Sequence, residues 1–248
     1  MLAGVDAELL EFCTPWLMRE PRLLLACQFA PAGSGRERFL ASNVVVRELA
    51  QAAMTASDRR VAEAKLGWWA EESGDWAAGR PRHPLARGFD PASSASALAS
   101  LALTFRDAPP AENIETAMSQ LQRLAQTSAD LAGAGAIDSW TPLWLALVLR
   151  LSLDTSAALA SVLPLDLMAR HGLRRSLWPE MDRAQRLPVL ADLAQQAPPA
   201  VAQLRDPALA ALVTLERRWL QRLAQPAADR IGIVDTFAAW RAARKAQP

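Results

Sequence analysis

Apolar residues recur every three or four positions along most of this chain, and no segment of useful length alternates apolar and polar residues as a strand would. Between residues 114 and 125, for example, Ile114, Met118, Leu121 and Leu124 fall on one helical face. Breaks such as "DAPPAEN" and "GAGAIDS" interrupt the period. The sequence therefore predicts an all-α fold, with about ten helices in a single domain over residues 1–248.

Local signals also place the starts of several helices. The segment "SGRE" at Ser34–Glu37 has the form of a capping box, in which the serine hydroxyl and the glutamate carboxylate accept from otherwise free backbone N–H groups. Ser57 and Asp58 are expected to cap the next helix. Asp90 precedes Pro91, and a proline suits the first position of a helix because an N–H there would be unpaired.

The charge balance argues against a nucleic-acid partner. Lysine and arginine total 27, while aspartate and glutamate total 26, in a mixed order without long blocks of one sign. Proteins that bind nucleic acids carry a basic patch or stripe because they must neutralise phosphates. We therefore expect no nucleic-acid interface.

Several features favour a soluble protein of the reduced cytoplasm. The first residues, "MLAGVDAELLEF", are acidic, whereas a secretory signal begins with basic residues. The longest apolar run, "LWLALVL" at Leu143–Leu149, is far shorter than the roughly 20 residues that cross a bilayer. Cys13 and Cys27 are too few for a disulfide framework. We expect no transmembrane segment, and peripheral contact with a membrane surface stays compatible with the sequence.

The common catalytic motifs do not occur in this sequence. Its two histidines, His83 and His171, have no cysteine or carboxylate neighbours at metal-ligand spacing, which argues against a zinc site. The nucleophile elbow and the glycine-rich nucleotide-binding loops are also missing. His83 stands before Pro84 and is expected to be a structural turn residue. These patterns identify no catalytic residue.

Three segments, in order along the chain, resemble the squalene/phytoene synthase family. Residues 21–49, "PRLLLACQFAPAGSGRERFLASNVVVREL", are similar to the family's opening segment. Residues 64–89, "AKLGWWAEESGDWAAGRPRHPLARGF", are similar to its helix with paired tryptophans and the loop after it. Residues 162–173, "VLPLDLMARHGL", resemble the segment that follows its second aspartate-rich helix, and they are the most specific of the three.

The resemblance implies a bundle of helices around a central cavity, the arrangement of isoprenoid synthases. Members of that family join two isoprenyl diphosphates between two facing DxxxD motifs that hold Mg²⁺. Hard carboxylate oxygens bind the metal, and the metal neutralises the charge of the diphosphate leaving group.

This sequence departs from the family pattern at those motifs. When residues 163–164 are aligned with the family's Leu-Pro pair, Arg150 matches the arginine of the second motif, but Leu151 and Thr155 stand in place of its aspartates. Leucine cannot bind Mg²⁺, and a threonine hydroxyl is a poor substitute for a carboxylate. The first motif falls on apolar or amide side chains: Ala50, Gln51 and Met54. We therefore expect neither a metal site nor a cofactor.

Five residues are candidates for lining the cavity: Arg47, Glu48, Trp69, Arg150 and Asp154. Each also has a structural interpretation. Arg150 and Asp154 have the spacing of an ion pair across one helical turn. Trp68 and Trp69 point about 100° apart on a helix, so one of them is expected in the core. Arg47 and Glu48 are adjacent and fit a solvated or interhelical role equally well.

Two functions remain open, beside a third hypothesis that the chain is a helical protein with no special relation to this family. The first is a member of the family without synthase activity, similar to the branch of the complex I assembly factor and its bacterial relatives, which binds an isoprenoid, a lipid or a partner protein. The second is an active isoprenyl diphosphate transferase with unusual ligands, which alone would require Mg²⁺. The number of carboxylates at the cavity distinguishes the two functions. The metal-dependent transfer needs four, and only Glu48 and Asp154 are expected there. We also expect side chains such as Trp144, Leu151 and Met54 to fill part of it.

Overall fold

The computed structural model describes residues 2, 4–56, 58–133, 137–154, 163–198, 204–225 and 228–246. These residues form eleven α-helices and two 3-10 segments and contain no strand, which confirms the predicted all-α class. The helices are α1 (Ala7–Arg19), α2 (Pro21–Cys27), α3 (Ser34–Thr55), α4 (Arg59–Ala77), α5 (Pro91–Arg106), α6 (Ile114–Ala132), α7 (Ile137–Asp154), α8 (Leu165–Arg170), α9 (Arg183–Ala194), α10 (Pro207–Gln221) and α11 (Ile233–Ala246). The 3-10 segments are Pro84–Gly88 and Arg175–Glu180.

Two of the predicted helix starts are confirmed. The carboxylate of Asp58 accepts the N–H of Arg60 in the first turn of α4, whereas Ser57 lies outside the described residues. Asp90 is the N-cap residue of α5, and Pro91 occupies its first position. Both starts depend only on contacts within one turn.

The capping box predicted at Ser34–Glu37 is wrong. Helix α3 begins at Ser34, and the N-cap residue is Gly33 with φ 73°, a left-handed conformation that glycine adopts at little cost. Glu37 instead accepts the backbone N–H of Asp6 at 2.8 Å. The glutamate therefore ties the start of α1 to α3 and does not cap its own helix.

Helix α7 is enclosed by its neighbours, and it contacts α3, α6, α9 and α10. Its segment Leu143–Leu149 is buried on all sides, which explains why the sequence is continuously apolar there and not striped. The indole N–H of Trp144 donates to the hydroxyl of Ser128 at 2.9 Å, so the one polar group of that side chain is satisfied. The helix is described to Asp154, and residues 155–162 lie outside the described part.

The 3-10 segment Pro84–Gly88 packs against α3 without room for a side chain at its last residue. A Cβ atom added to Gly88 would lie 2.3 Å from the Cβ of Ala41 and 2.6 Å from the carbonyl oxygen of Glu37. We expect Gly88→Ala to lower the free energy of unfolding by about 1–3 kcal/mol, because the two backbones must separate. Urea denaturation measures this. Gly67→Ala is the control, since a Cβ there meets open space, and we expect it to stabilise α4 by up to about 1 kcal/mol.

Candidate functional site

A cleft of about 370 Å³ opens beside the C-terminal half of α7. Its walls come from α1, α2, α3, α7 and α9, together with Asp229 in the loop before α11. Leu147, Leu151 and Leu153 supply an apolar surface, and arginines and carboxylates supply the rest. The lining therefore suits an amphiphilic molecule better than a fully apolar or a fully charged one.

One wall is formed where the chain turns between α1 and α2. Pro21 occupies the first position of α2, and a proline disfavours the helical conformation in the residue before it. Glu20 accordingly has φ −119° and ψ 75°, which breaks the helix. The break places the carboxylate of Glu20 in the cleft, 3.6 Å from the guanidinium of Arg150.

Arg150 is bound through two of its three guanidinium nitrogens, while its buried Nε atom has no hydrogen-bond partner among the described residues. Its guanidinium donates two hydrogen bonds to the carboxylate of Glu216 in α10, one of them at 2.9 Å, and lies 5.0 Å from the ring centroid of Trp219. Burial alone would lower the pKa of Arg150, but the carboxylates of Glu216 and Glu20 outweigh it and hold the pKa above its ordinary value. Such a bidentate pair fixes the geometry as well as the charge.

Two further arginines stand behind this pair. The Nε atom of Arg47 lies 3.9 Å from Glu20, and its Nη1 atom donates to the carbonyl of Asn43 at 2.9 Å. Arg22 donates to the carbonyls of Ala228 and Asp229, each at 3.1 Å. Burial would raise the pKa of Glu20, but Arg150, Arg47 and Arg22 hold it below its ordinary value. Glu20 is therefore ionised and shared among arginines.

The mouth of the cleft holds a second cluster of charges. Arg183, at the start of α9, donates to Asp154 at 3.3 Å and to Asp229 at 2.6 Å. The other carboxylate oxygen of Asp229 accepts the indole N–H of Trp219 at 2.8 Å. Partial desolvation and the neighbouring Asp229 raise the pKa of Asp154, although Arg183 opposes this. The carboxylates of the mouth are thus engaged by an arginine, as those of the interior are.

No three histidine, cysteine or acidic side chains in the described part of the chain are grouped so as to hold a metal ion. Four carboxylates lie in or beside the cleft, and each of them is paired with at least one guanidinium: Glu20, Asp154, Glu216 and Asp229. The donor set that fits Mg²⁺ is several free carboxylate oxygens around one point. The described residues of the cleft do not fit that ion.

The structure brings four of the five predicted site residues to this region. Arg150 and Asp154 line the cleft, but they do not form the pair that their spacing suggested, since Arg150 binds Glu216 and Glu20 while Asp154 binds Arg183. Arg47 is buried behind Glu20. Glu48 accepts the indole N–H of the lining residue Trp16 at 2.8 Å.

Trp69 lies elsewhere, in an aromatic cluster between α4 and the loop after it. It is buried against the rings of Trp68 and His83, with centroids 5.1 and 4.7 Å away. Trp68 is the more exposed of the two tryptophans, at 37%. His83 accepts the N–H of Leu85 at 3.2 Å through Nδ1, which matches the structural turn expected of it. Burial lowers the pKa of His83, although Glu72 opposes the shift.

Sequence reasoning did not find Glu20, Glu216, Arg183 or Asp229. A usable signal was present for one of them. Glu216 occupies a position on the apolar face of α10, in the spacing of Leu212, Trp219 and Leu220, and a carboxylate on such a face requires a buried partner. The remaining three carry no local signal, because their partners come from other helices.

The three side chains that were expected to fill part of the interior differ in their burial. Trp144 and Met54 are buried, and the apolar pocket beside Met54 measures only about 80 Å³. Leu151 is half-buried, packs against the core and also lines the charged cleft.

No protein-family model matches this sequence, and no curated protein is significantly similar to it. Among solved structures, a dehydrosqualene synthase in complex with a ligand is similar to this chain, with a TM-score of 0.63 over 95% of both chains and 14% sequence identity. This likeness supports the isoprenoid synthase fold that the three segments implied. Among the described helices, none combines the length and apolarity needed to span a membrane.

Proposed function

We propose that this protein has the fold of a squalene/phytoene synthase without the synthase activity, and that it binds one isoprenoid or lipid chain in the cleft beside α7. The observation that carries the proposal is the bidentate pair of Arg150 and Glu216. A carboxylate held in this way has its oxygens directed at a guanidinium and not at a metal. The resemblance of the "WW" and "LPLDL" segments to relatives of the complex I assembly factor agrees with a non-catalytic role.

The dimensions of the cleft favour a single chain. Ligand pockets that enclose small molecules measure roughly 300–1,000 Å³, and this cleft of about 370 Å³ lies near the lower end. An alkyl chain would contact Leu147, Leu151 and Leu153, and each buried CH₂ contributes about 0.8 kcal/mol. A polar head group would meet Arg183 at the mouth. Affinity would therefore come from the chain and would not require a diphosphate.

A single domain and a cytoplasmic location are part of the same proposal. Its support is that buried apolar residues from Leu2 to Ala243 form one continuous core. Cys13 and Cys27 are free and buried, and burial raises the pKa of each thiol to about 12. At neutral pH both thiols therefore stay protonated and chemically inert.

Calorimetric titration with farnesol, and with a non-hydrolysable analogue of farnesyl diphosphate, tests the proposal. We expect both ligands to bind, with affinities that change less than about threefold between excess Mg²⁺ and EDTA, because the chain carries the binding energy. Leu151→Trp should weaken the binding of both by about tenfold or more, since the indole fills the cleft. Leu177→Trp, at an exposed position outside the cleft, is the matched control.

The same titration distinguishes the proposal from its alternative, an active isoprenyl diphosphate transferase. Micromolar binding of the diphosphate analogue only in the presence of Mg²⁺, together with release of diphosphate from farnesyl diphosphate, would show an active transferase with unusual metal ligands. Binding of neither ligand would show that the cleft does not accept an isoprenoid.

A further inference from the structure

Helix α11 exposes large apolar side chains that most proteins bury. Ile233 is 89% exposed, Val234 67%, Phe237 51% and Trp240 42%. Their spacing of one, four and seven positions from Ile233 places them on one face of the helix. Isolated exposed apolar residues are common, but four that form a continuous stripe indicate an interaction surface.

The opposite face of α11 fixes the helix to the rest of the molecule. Ala239 and Ala243 are buried in the contact with α10. The carboxylate of Asp235 accepts from Arg218 at 2.6 Å and from Arg222 at 3.0 Å. The apolar stripe is therefore presented outward by a helix that is anchored through its other side.

The stripe carries positive charge at its C-terminal end. The guanidinium groups of Arg241 and Arg244 lie 5.0 Å from the ring centroid of Phe237 and 5.3 Å from that of Trp240, respectively. Lys245 follows and is also exposed. The sequence of α11 contains one carboxylate, Asp235, which is buried and bound by Arg218 of α10 and by Arg222, the residue after that helix. The outward surface of the helix is thus apolar and cationic.

We infer that this face of α11 docks on the surface of an anionic lipid bilayer. Tryptophan and arginine sit favourably at the level of lipid head groups, where an aromatic ring meets the acyl boundary and a guanidinium meets phosphate. Exposed cations near an anionic membrane each strengthen its attraction, which gives the complementarity in charge. An apolar patch surrounded by both positive and negative side chains would favour a protein partner. Helix α11 exposes only positive charges.

The docking face lies close to the mouth of the cleft. Asp229 lines the cleft and precedes Ile233 by four residues, so their Cα atoms are separated by at most about 14 Å. A cleft that takes a lipid chain would then open beside the bilayer that supplies it. This link rests on the proposed function, whereas the docking of α11 rests on its own exposed residues.

Flotation with vesicles tests the docking. The full chain is mixed with vesicles of phosphatidylcholine alone, or of phosphatidylcholine with phosphatidylglycerol. We expect binding to the anionic vesicles to be at least about tenfold stronger and to weaken with added salt. Phe237→Ser with Trp240→Ser should reduce binding by about tenfold or more. Val61→Ser with Leu177→Ser changes two exposed apolar residues outside α11 and should have no effect.

The charge is tested separately. Arg241→Glu with Arg244→Glu should abolish the preference for anionic vesicles, whereas Arg60→Glu with Lys65→Glu, two exposed positions of α4, should leave most of it. Unchanged melting temperatures confirm that each variant is folded. Equal binding to both kinds of vesicle, or full binding by the serine variant of α11, overturns the inference. A third contradicting result is that the natural chain forms a dimer and does not bind vesicles, whereas the serine variant is a monomer. A second copy of the chain would then cover the stripe.

Discussion

Glu216→Ala will lower the free energy of unfolding by about 3–5 kcal/mol, because it leaves the buried guanidinium of Arg150 without its bidentate partner. The side chain of Glu216 is 1% exposed and that of Arg150, which borders the cleft, is 13% exposed, so water can replace the lost carboxylate only in part. Glu20, at 3.6 Å from Arg150, compensates only in part. Urea denaturation at neutral pH measures the change.

A double variant separates the cost of a broken pair from the value of the intact one. Arg150→Met with Glu216→Leu removes both charges and restores apolar volume, and such replacements are often neutral in stability. We therefore expect the double variant to recover most of the stability that Glu216→Ala loses. A loss below about 1 kcal/mol in Glu216→Ala, the value of a surface ion pair, would show that the pair is solvated and not buried.

Glu72→Ala will destabilise the protein by about 2–4 kcal/mol, because one buried carboxylate organises the loop after α4. Glu72 accepts hydrogen bonds from the indole of Trp76, from the backbone N–H groups of Arg82 and His83, and from the side chain of Arg82. Its removal leaves the indole of Trp76 and the two backbone N–H groups without this acceptor, whereas the exposed side chain of Arg82 keeps its contact with Asp75 at 3.0 Å. Glu71→Ala is the matched control, since that neighbour is exposed, and its effect should stay within about 0.5 kcal/mol.

The same carboxylate makes stability depend on pH. Burial would raise the pKa of Glu72, but its hydrogen bonds outweigh burial and hold the pKa below the ordinary value of 4.5. A pKa that is lower in the folded than in the unfolded state contributes stability above the unfolded value, and this is lost as pH falls through the folded value. Glu72→Gln keeps the shape of the side chain and removes the titration. Its stability should therefore fall less than that of the natural chain below pH 4.5; equal losses in both proteins would contradict the assignment.

The sequence by itself determined where helices form. The helical period, the cap at Asp58 and the proline after Asp90 were sufficient, because each of these signals acts within a few residues. The limit of such signals appears at Ser34–Glu37. The segment has the letters of a capping box, but Glu37 reaches the N–H of Asp6, which is 31 positions away.

Only the tertiary structure decided which charges meet. Arg150 and Asp154 are separated by one helical turn, so they looked like partners in the sequence. In the folded chain Arg150 instead binds Glu216, which is 66 positions away in a segment without any motif. Glu216 is buried and has no water to solvate it, so it gains more from the guanidinium than the exposed Asp154 does. Burial differs between these two carboxylates, and burial is a property of the packed helices rather than of residue spacing.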